Sequence, residues 1–167
     1  GPDIAYLYWS HTNEVITFEI HVKDSRWILF GLNNQQTYSD VIVGWLKKED
    51  KIGHFSDRKI SNQRIMTLDK KTNWLPIDAF IKDEYTVFKF RRNIRLNCEG
   101  NEYERDEDLD IQTGANRIIF AHGTEINERE ETINLPQNLT PRDIILLNNP
   151  NAQGPFTCVT KQAPRTF

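Results

Sequence analysis

Cysteine, methionine and net charge are all in short supply, and each shortage excludes something. Two cysteines in 167 residues permit at most one internal disulfide, so a cystine-stapled mini-scaffold is excluded. No Cys-x-x-Cys and no His-Glu-x-x-His occurs, which removes the common local zinc motifs. A formal net charge of −3 leaves no footprint for nucleic acid or an anionic membrane surface. No apolar run approaches the roughly 18–20 residues that would cross a bilayer as a helix, so no membrane insertion is expected. Gly-rich phosphate loops and a Gly-x-Ser-x-Gly elbow are missing too. There is no internal repeat, no low-complexity segment and almost no helical periodicity.

What is present is β-branched and aromatic residues in short runs. The length suits one domain with its own hydrophobic core. Gly1-Pro2 reads as the scar of a cleaved tag, residues 3–150 as the domain, and 151–167, rich in proline, as an extended tail or linker. The chain reads as a piece of a longer protein.

The central stretch is Tyr38 to Asp57, a strand, a polar turn at Lys47–Lys51 and a returning strand. Asp40 opens its first strand, an unusual place for an acid. Before it come strands at 5–11, 14–23 and 26–32; the second alternates strictly, with Ile16, Phe18, Ile20 and Val22 on one face. After it, 59–64 reads as polar loop and 65–68 as a short strand. Residues 74–80 hold Pro76 and read as an edge strand or packed loop. Strands follow at 84–92 and 116–122. Residues 124–131 suit one or two helical turns with Thr124 as N-cap. Ile144 to Leu147 is a last strand. The expected fold is all-β, an antiparallel sandwich or barrel of about nine to eleven strands.

Local chemistry is sparse. Asp106-x-Asp108-x-Asp110 begins like an EF-hand loop but has Ile111 where glycine is required, so a solvated acidic loop is expected. His11, His21, His54 and His122 have no local partner at ligand spacing. His122 ends an apolar strand, either hydrogen-bonded there or completing a site with distant residues. Trp9, Trp27, Trp45 and Trp74 are expected in the core. Asn138-Leu139-Thr140 is a glycosylation sequon. With the two cysteines it favours a secreted or lumenal protein, while pairing or free thiols stay open for Cys98 and Cys158.

Glu14-Val-Ile-Thr-Phe-Glu-Ile, Trp27-Ile-Leu-Phe-Gly-Leu, Ser39-Asp-Val-Ile-Val-Gly-Trp, Phe55-Ser-Asp and Asn116-Arg-Ile-Ile-Phe-Ala-His-Gly follow one another in the order and spacing of the DOMON domain, which the chain resembles over residues 5–150. Asn138-Leu-Thr-Pro-Arg-Asp-Ile-Ile-Leu-Leu-Asn resembles the element that follows that domain in the copper monooxygenase branch, which includes dopamine and tyramine β-hydroxylases. The resemblance implies an Ig-like β-sandwich facing the cell exterior. It implies a non-catalytic accessory module whose partners are other domains of the parent protein, with copper held only in those domains. The alternatives are a haem b electron-transfer domain and a carbohydrate-binding module, with a small ligand or glycan as partner.

For haem, the resemblance implies a methionine in the loop before the characteristic strand and a histidine near the late strand. Residues 33–39 hold no methionine, Met66 lies elsewhere, and His122 stands near the histidine position. For a hard cation such as Ca²⁺, it implies Asp40, the carbonyls of Val41 and Arg58, and Asn73 in place of a second acid. Cys98-Glu-Gly-Asn-Glu-Tyr resembles a family segment whose cysteine is bridged; the resemblance implies a disulfide of Cys98 with Cys158 or with a cysteine outside this chain.

Overall fold

The computed structural model describes residues 4–34, 38–69, 72–96, 109–137 and 139–156. These form ten strands: β1 (Ala5–His11), β2 (Val15–Lys23), β3 (Trp27–Asn34), β4 (Tyr38–Leu46), β5 (Gly53–Ser61), β6 (Met66–Leu68), β7 (Leu75–Lys82), β8 (Tyr85–Asn93), β9 (Ala115–Gly123) and β10 (Arg142–Ile145). They build two antiparallel sheets, one ordered β1-β2-β8-β7 and the other β10-β9-β3-β4-β5-β6. This is the expected sandwich.

The residue patterns explain the layers. Strand β2 alternates buried and half-buried positions along its length, as a strand packed on one face must. Its inward Phe18 meets Phe30 of β3 at 4.8 Å between ring centroids, and Phe90 of β8 at 5.6 Å. Strands β3 and β4 are buried at almost every position. Their even-numbered residues face the other sheet. Their odd-numbered residues (Trp27, Leu29, Val41, Val43 and Trp45) form a second core on the outer side of the six-stranded sheet. Ile126, Ile133, Leu135 and Leu139 cover that outer core. Continuous apolar runs in β3 and β4 are thus the mark of a sheet clothed on both faces.

That cover accounts for one correction. The helical turns expected at 124–131 do not form; Asn127 and Thr132 pair as an antiparallel bridge, exchanging N–H···O bonds at 3.0 and 3.2 Å. Residues 128–131 form the turn that this bridge closes, and the chain on either side lays Ile126, Ile133 and Leu135 onto the sheet. Burial outweighs weak local helix signals. The polar loop expected at 59–64 is shorter, because β5 continues to Ser61 and buries Ile60. Pro76 sits on edge strand β7, where the register slips between Pro76 and Asp78, in keeping with proline's missing donor.

After β10, Leu146 is fully buried and accepts the Trp9 indole N–H at 2.9 Å. Asn149 then donates its backbone N–H to His11 Nε2 at 2.9 Å. A single 3-10 turn at Pro150–Ala152 follows.

Candidate metal centre

Parity and register bring the site together. In β4, Asp40 shares its inward face with Ile42, and Ile42 stands opposite Asp57 in β5. The chain leaves β6 at Leu68, and the backbone N–H of Asp69 bonds the Asp57 carbonyl at 3.0 Å. One carboxylate oxygen each from Asp40, Asp57 and Asp69 then lies within 4.8 Å of the other two. Oxygens that share a calcium ion, each about 2.3–2.6 Å from it, are no more than about 5 Å apart. Among the described residues this is the one such grouping of three His, Cys or carboxylate side chains.

Gly31 of β3 makes room beside it. A Cβ there would stand 2.1 Å from the Asp40 carbonyl oxygen and 2.7 Å from Val41 Cα. Only glycine lets β3 lie this close to the β4 backbone.

The acids differ in their surroundings. Asp40 is fully buried. Its Oδ1 accepts the Trp74 indole N–H at 2.8 Å. Its Oδ2 accepts the Leu109 backbone N–H at 3.0 Å and the Arg92 guanidinium at 3.3 Å. Arg92 is itself fully buried; it also donates to the Leu109 carbonyl and lies over the Trp74 ring, 4.7 Å from its centroid. Burial pushes the Asp40 carboxyl upward, and Arg92, the Leu109 N–H and the Trp74 N–H pull it back.

Asp57 has no cation beside it among the described residues. Its Oδ2 accepts the backbone N–H groups of Asn73 at 2.6 Å and Trp74 at 3.0 Å. Its Oδ1 is shut off from solvent and meets no donor among the described residues. Burial first, then the Asp40 charge, push the Asp57 carboxyl up to about 8. Two close carboxylates with one guanidinium leave a negative charge unanswered. A proton on Asp57 answers it, and so would a hard cation. The donor set is all oxygen, as calcium requires, and the orphaned Oδ1 is the atom that lacks a partner. The residues therefore fit the cation that the fold family implies.

Of the other expected ligands, Val41 and Arg58 adjoin Asp40 and Asp57 along their strands. Val41 and Arg58 are direct partners in the β4–β5 ladder. Arg58 sends its guanidinium to the Ser56 hydroxyl at 2.8 Å and the Glu131 carbonyl at 2.7 Å. Asn73 reaches the cluster through its backbone N–H on Asp57, while its side-chain Nδ2 is buried without a partner among the described residues. Asp57, Asp69 and Arg92 are the site residues that sequence reasoning missed. The available signal was a charge on the inward face of an apolar strand: Arg92 follows Phe88 and Phe90 at the same parity.

His122 lies apart from this site, on β9. Its Nδ1 shares a 2.7 Å hydrogen bond with the Ser25 hydroxyl, and burial holds its pKa below the ordinary value. Met66, the only methionine, is on β6, with β3, β4 and β5 between that strand and β9. At about 4.8 Å per strand this separates the two by nearly 20 Å, so Met66 cannot be an axial partner of His122. Cys98, Cys158 and the sequon residue Asn138 lie outside the described residues.

Comparison with known proteins agrees with the architecture. The family model described as DOMON domain matches residues 3–123. A human protein described as "Putative DBH-like monooxygenase protein 2" is 26% identical over 125 residues, covering 72% of this chain. The chain spans only 23% of that relative's length.

Proposed function

Because this chain belongs to the DOMON family, we propose that it is a non-catalytic accessory domain of a secreted, multidomain monooxygenase-like protein, with a hard cation of the Ca²⁺ class fastening its sandwich. The Asp40, Asp57 and Asp69 cluster with its orphaned Asp57 oxygen carries this reading. The three acids would hold the cation, with the Asn73 amide oxygen as a neighbouring donor. The cation would supply charge balance and cross-linking. Arg92 and Trp74 aim Asp40 and favour its ionised form against the burial that opposes it. The copper chemistry implied by the family branch belongs, on this reading, to other domains of the parent.

Calorimetric titration of chelator-treated protein with Ca²⁺ tests it. Binding of one ion is expected, lost in Asp57→Asn and accompanied by a raised melting temperature. No heat and no change in melting temperature would remove the cation from the proposal.

One observation favours glycan binding as a second reading. Tyr6 and Tyr8, respectively 40% and 52% exposed, sit on the edge strand of the four-stranded sheet. Tyr8 meets His21 edge-on at 5.1 Å, and Tyr6 meets Tyr85 at 5.9 Å. Exposed rings in one patch suit stacking on sugar faces. A glycan array with Tyr8→Ala as control tests this; no binding by the parent domain would exclude it.

A further inference from the structure

A cavity of about 300 Å³ lies on the outer side of the six-stranded sheet, away from the carboxylate cluster. It occupies the space between the sheet and the segment that covers it. Arginines hold that cover in place: Arg58 bonds the Glu131 carbonyl, and Arg64 bonds the carbonyls of Pro136 and Gln137. Arg64 itself closes the turn between β5 and β6, its backbone N–H on the Ser61 carbonyl at 2.9 Å. The cavity is therefore a half-open gap, bordered by chain that is tied at several points.

Its chemistry is mixed. Ile60 and Ile119, both nearly fully buried, give an apolar floor, and Leu135 and Leu139 line it from the cover. Asn33 and Ser39 face each other across β3 and β4. The Asn33 amide Nδ2 donates to the Ser39 hydroxyl at 2.9 Å. Its Oδ1 is closed to solvent and has no partner among the described residues. Exchanging the amide oxygen and nitrogen would not cure this, since one polar atom would stay unmatched either way. Arg117, exposed on β9, lines the cavity together with Arg64, and no acid is among its described lining residues. Asp143 stands opposite Arg117 in the β9–β10 register but outside the lining.

We propose that this cavity binds a small hydroxycarboxylic acid with an apolar body. A ligand hydroxyl both donates and accepts, so it suits the Ser39 and Ser61 side chains that line the cavity. A carboxylate reaches the Arg117 guanidinium, whose planar fork matches it. The hydrocarbon part lies on Ile60 and Ile119. The volume is at the small end of ligand sites. This inference uses none of the metal-centre acids and stands or falls apart from them.

The test is ¹⁵N–¹H shift mapping of the whole chain with three probes: 3-phenyllactate, 3-phenylpropionate lacking the hydroxyl, and 3-phenyl-1,2-propanediol lacking the carboxylate. Phenyllactate is expected to bind tightest and to shift the amides of Ser39, Ser61 and Ile119. Arg117→Gln, an exposed change that leaves the fold intact, should weaken phenyllactate about tenfold or more and leave the diol unaffected. Absent shifts at these amides, or equal affinity in Arg117→Gln, would overturn the assignment.

Discussion

Arg92 and Asp40 meet across the middle of the sandwich, 3.3 Å apart, with both side chains completely out of solvent. Such a pair is costly to halve. Removing one partner strands the other charge in a medium that cannot solvate it, typically at about 3–5 kcal/mol. Arg92→Leu and Asp40→Leu are each expected to destabilise by that order in urea denaturation. The double replacement should cost well under the sum, because it strands neither charge. Additive losses would mean that the two residues act independently.

Strand positions were readable wherever one physical rule dominated. Ile16, Phe18, Ile20 and Val22 announced β2 because half-burial imposes a period of two. The unbroken apolar runs of β3 and β4 announced strands as well, but not the cover that makes them unbroken. Residues 124–131 misled because Thr124 and the charged run are locally compatible with helix, while the outer core needs Ile126 and Ile133 laid flat. In the site, Asp40 stood out as an acid opening an apolar strand. Asp57 did not, since its inward aim depends on the register of the β4–β5 hairpin. Asp69 depends on how β6 returns the chain to β5, which no local pattern records. Cys98, Cys158 and Asn138 fall outside the described residues, so the expected bridge and glycan rest on sequence alone.

Gly31→Ala tests the close approach of β3 to β4. The added methyl would meet backbone, which cannot swing aside as a side-chain tip can. The strands must part beside Asp40 and Val41. A loss of about 1–3 kcal/mol is expected, the usual range for overpacking. Cation binding should weaken with it. Unchanged stability would mean that the strand pair is looser than the geometry describes.

His122 sets an acid limit. Burial favours its neutral form, so its folded pKa lies below the ordinary 6.5. The unfolded chain therefore takes up a proton at higher pH than the folded one does. The stability owed to neutral His122 is present above the unfolded value and is lost as pH falls through the folded one. Following the imidazole signals by NMR should give a midpoint below 6.5. His122→Gln should flatten this limb of the pH–stability curve. An ordinary midpoint would remove His122 from the account of acid lability.

Asp57 acts with the opposite sign, and the cation reverses it. With its carboxyl raised from 3.8 to about 8, cation-free folded protein keeps a proton that the unfolded chain has already released. This contribution is complete below the unfolded value, declines as pH rises through the window, and is gone above the folded value. The slope is up to about 1.4 kcal/mol per pH unit for one proton. Asp57→Asn keeps a neutral, hydrogen-bonding side chain and should remove the slope, making chelated protein more stable than its parent at pH 8. Ca²⁺ must displace the same proton to bind, so its affinity should rise up to about tenfold per pH unit and level off near 8. Denaturation across pH, with Ca²⁺ and with chelator, should therefore give two curves that diverge as pH rises. Parallel curves would place the ion somewhere other than Asp57.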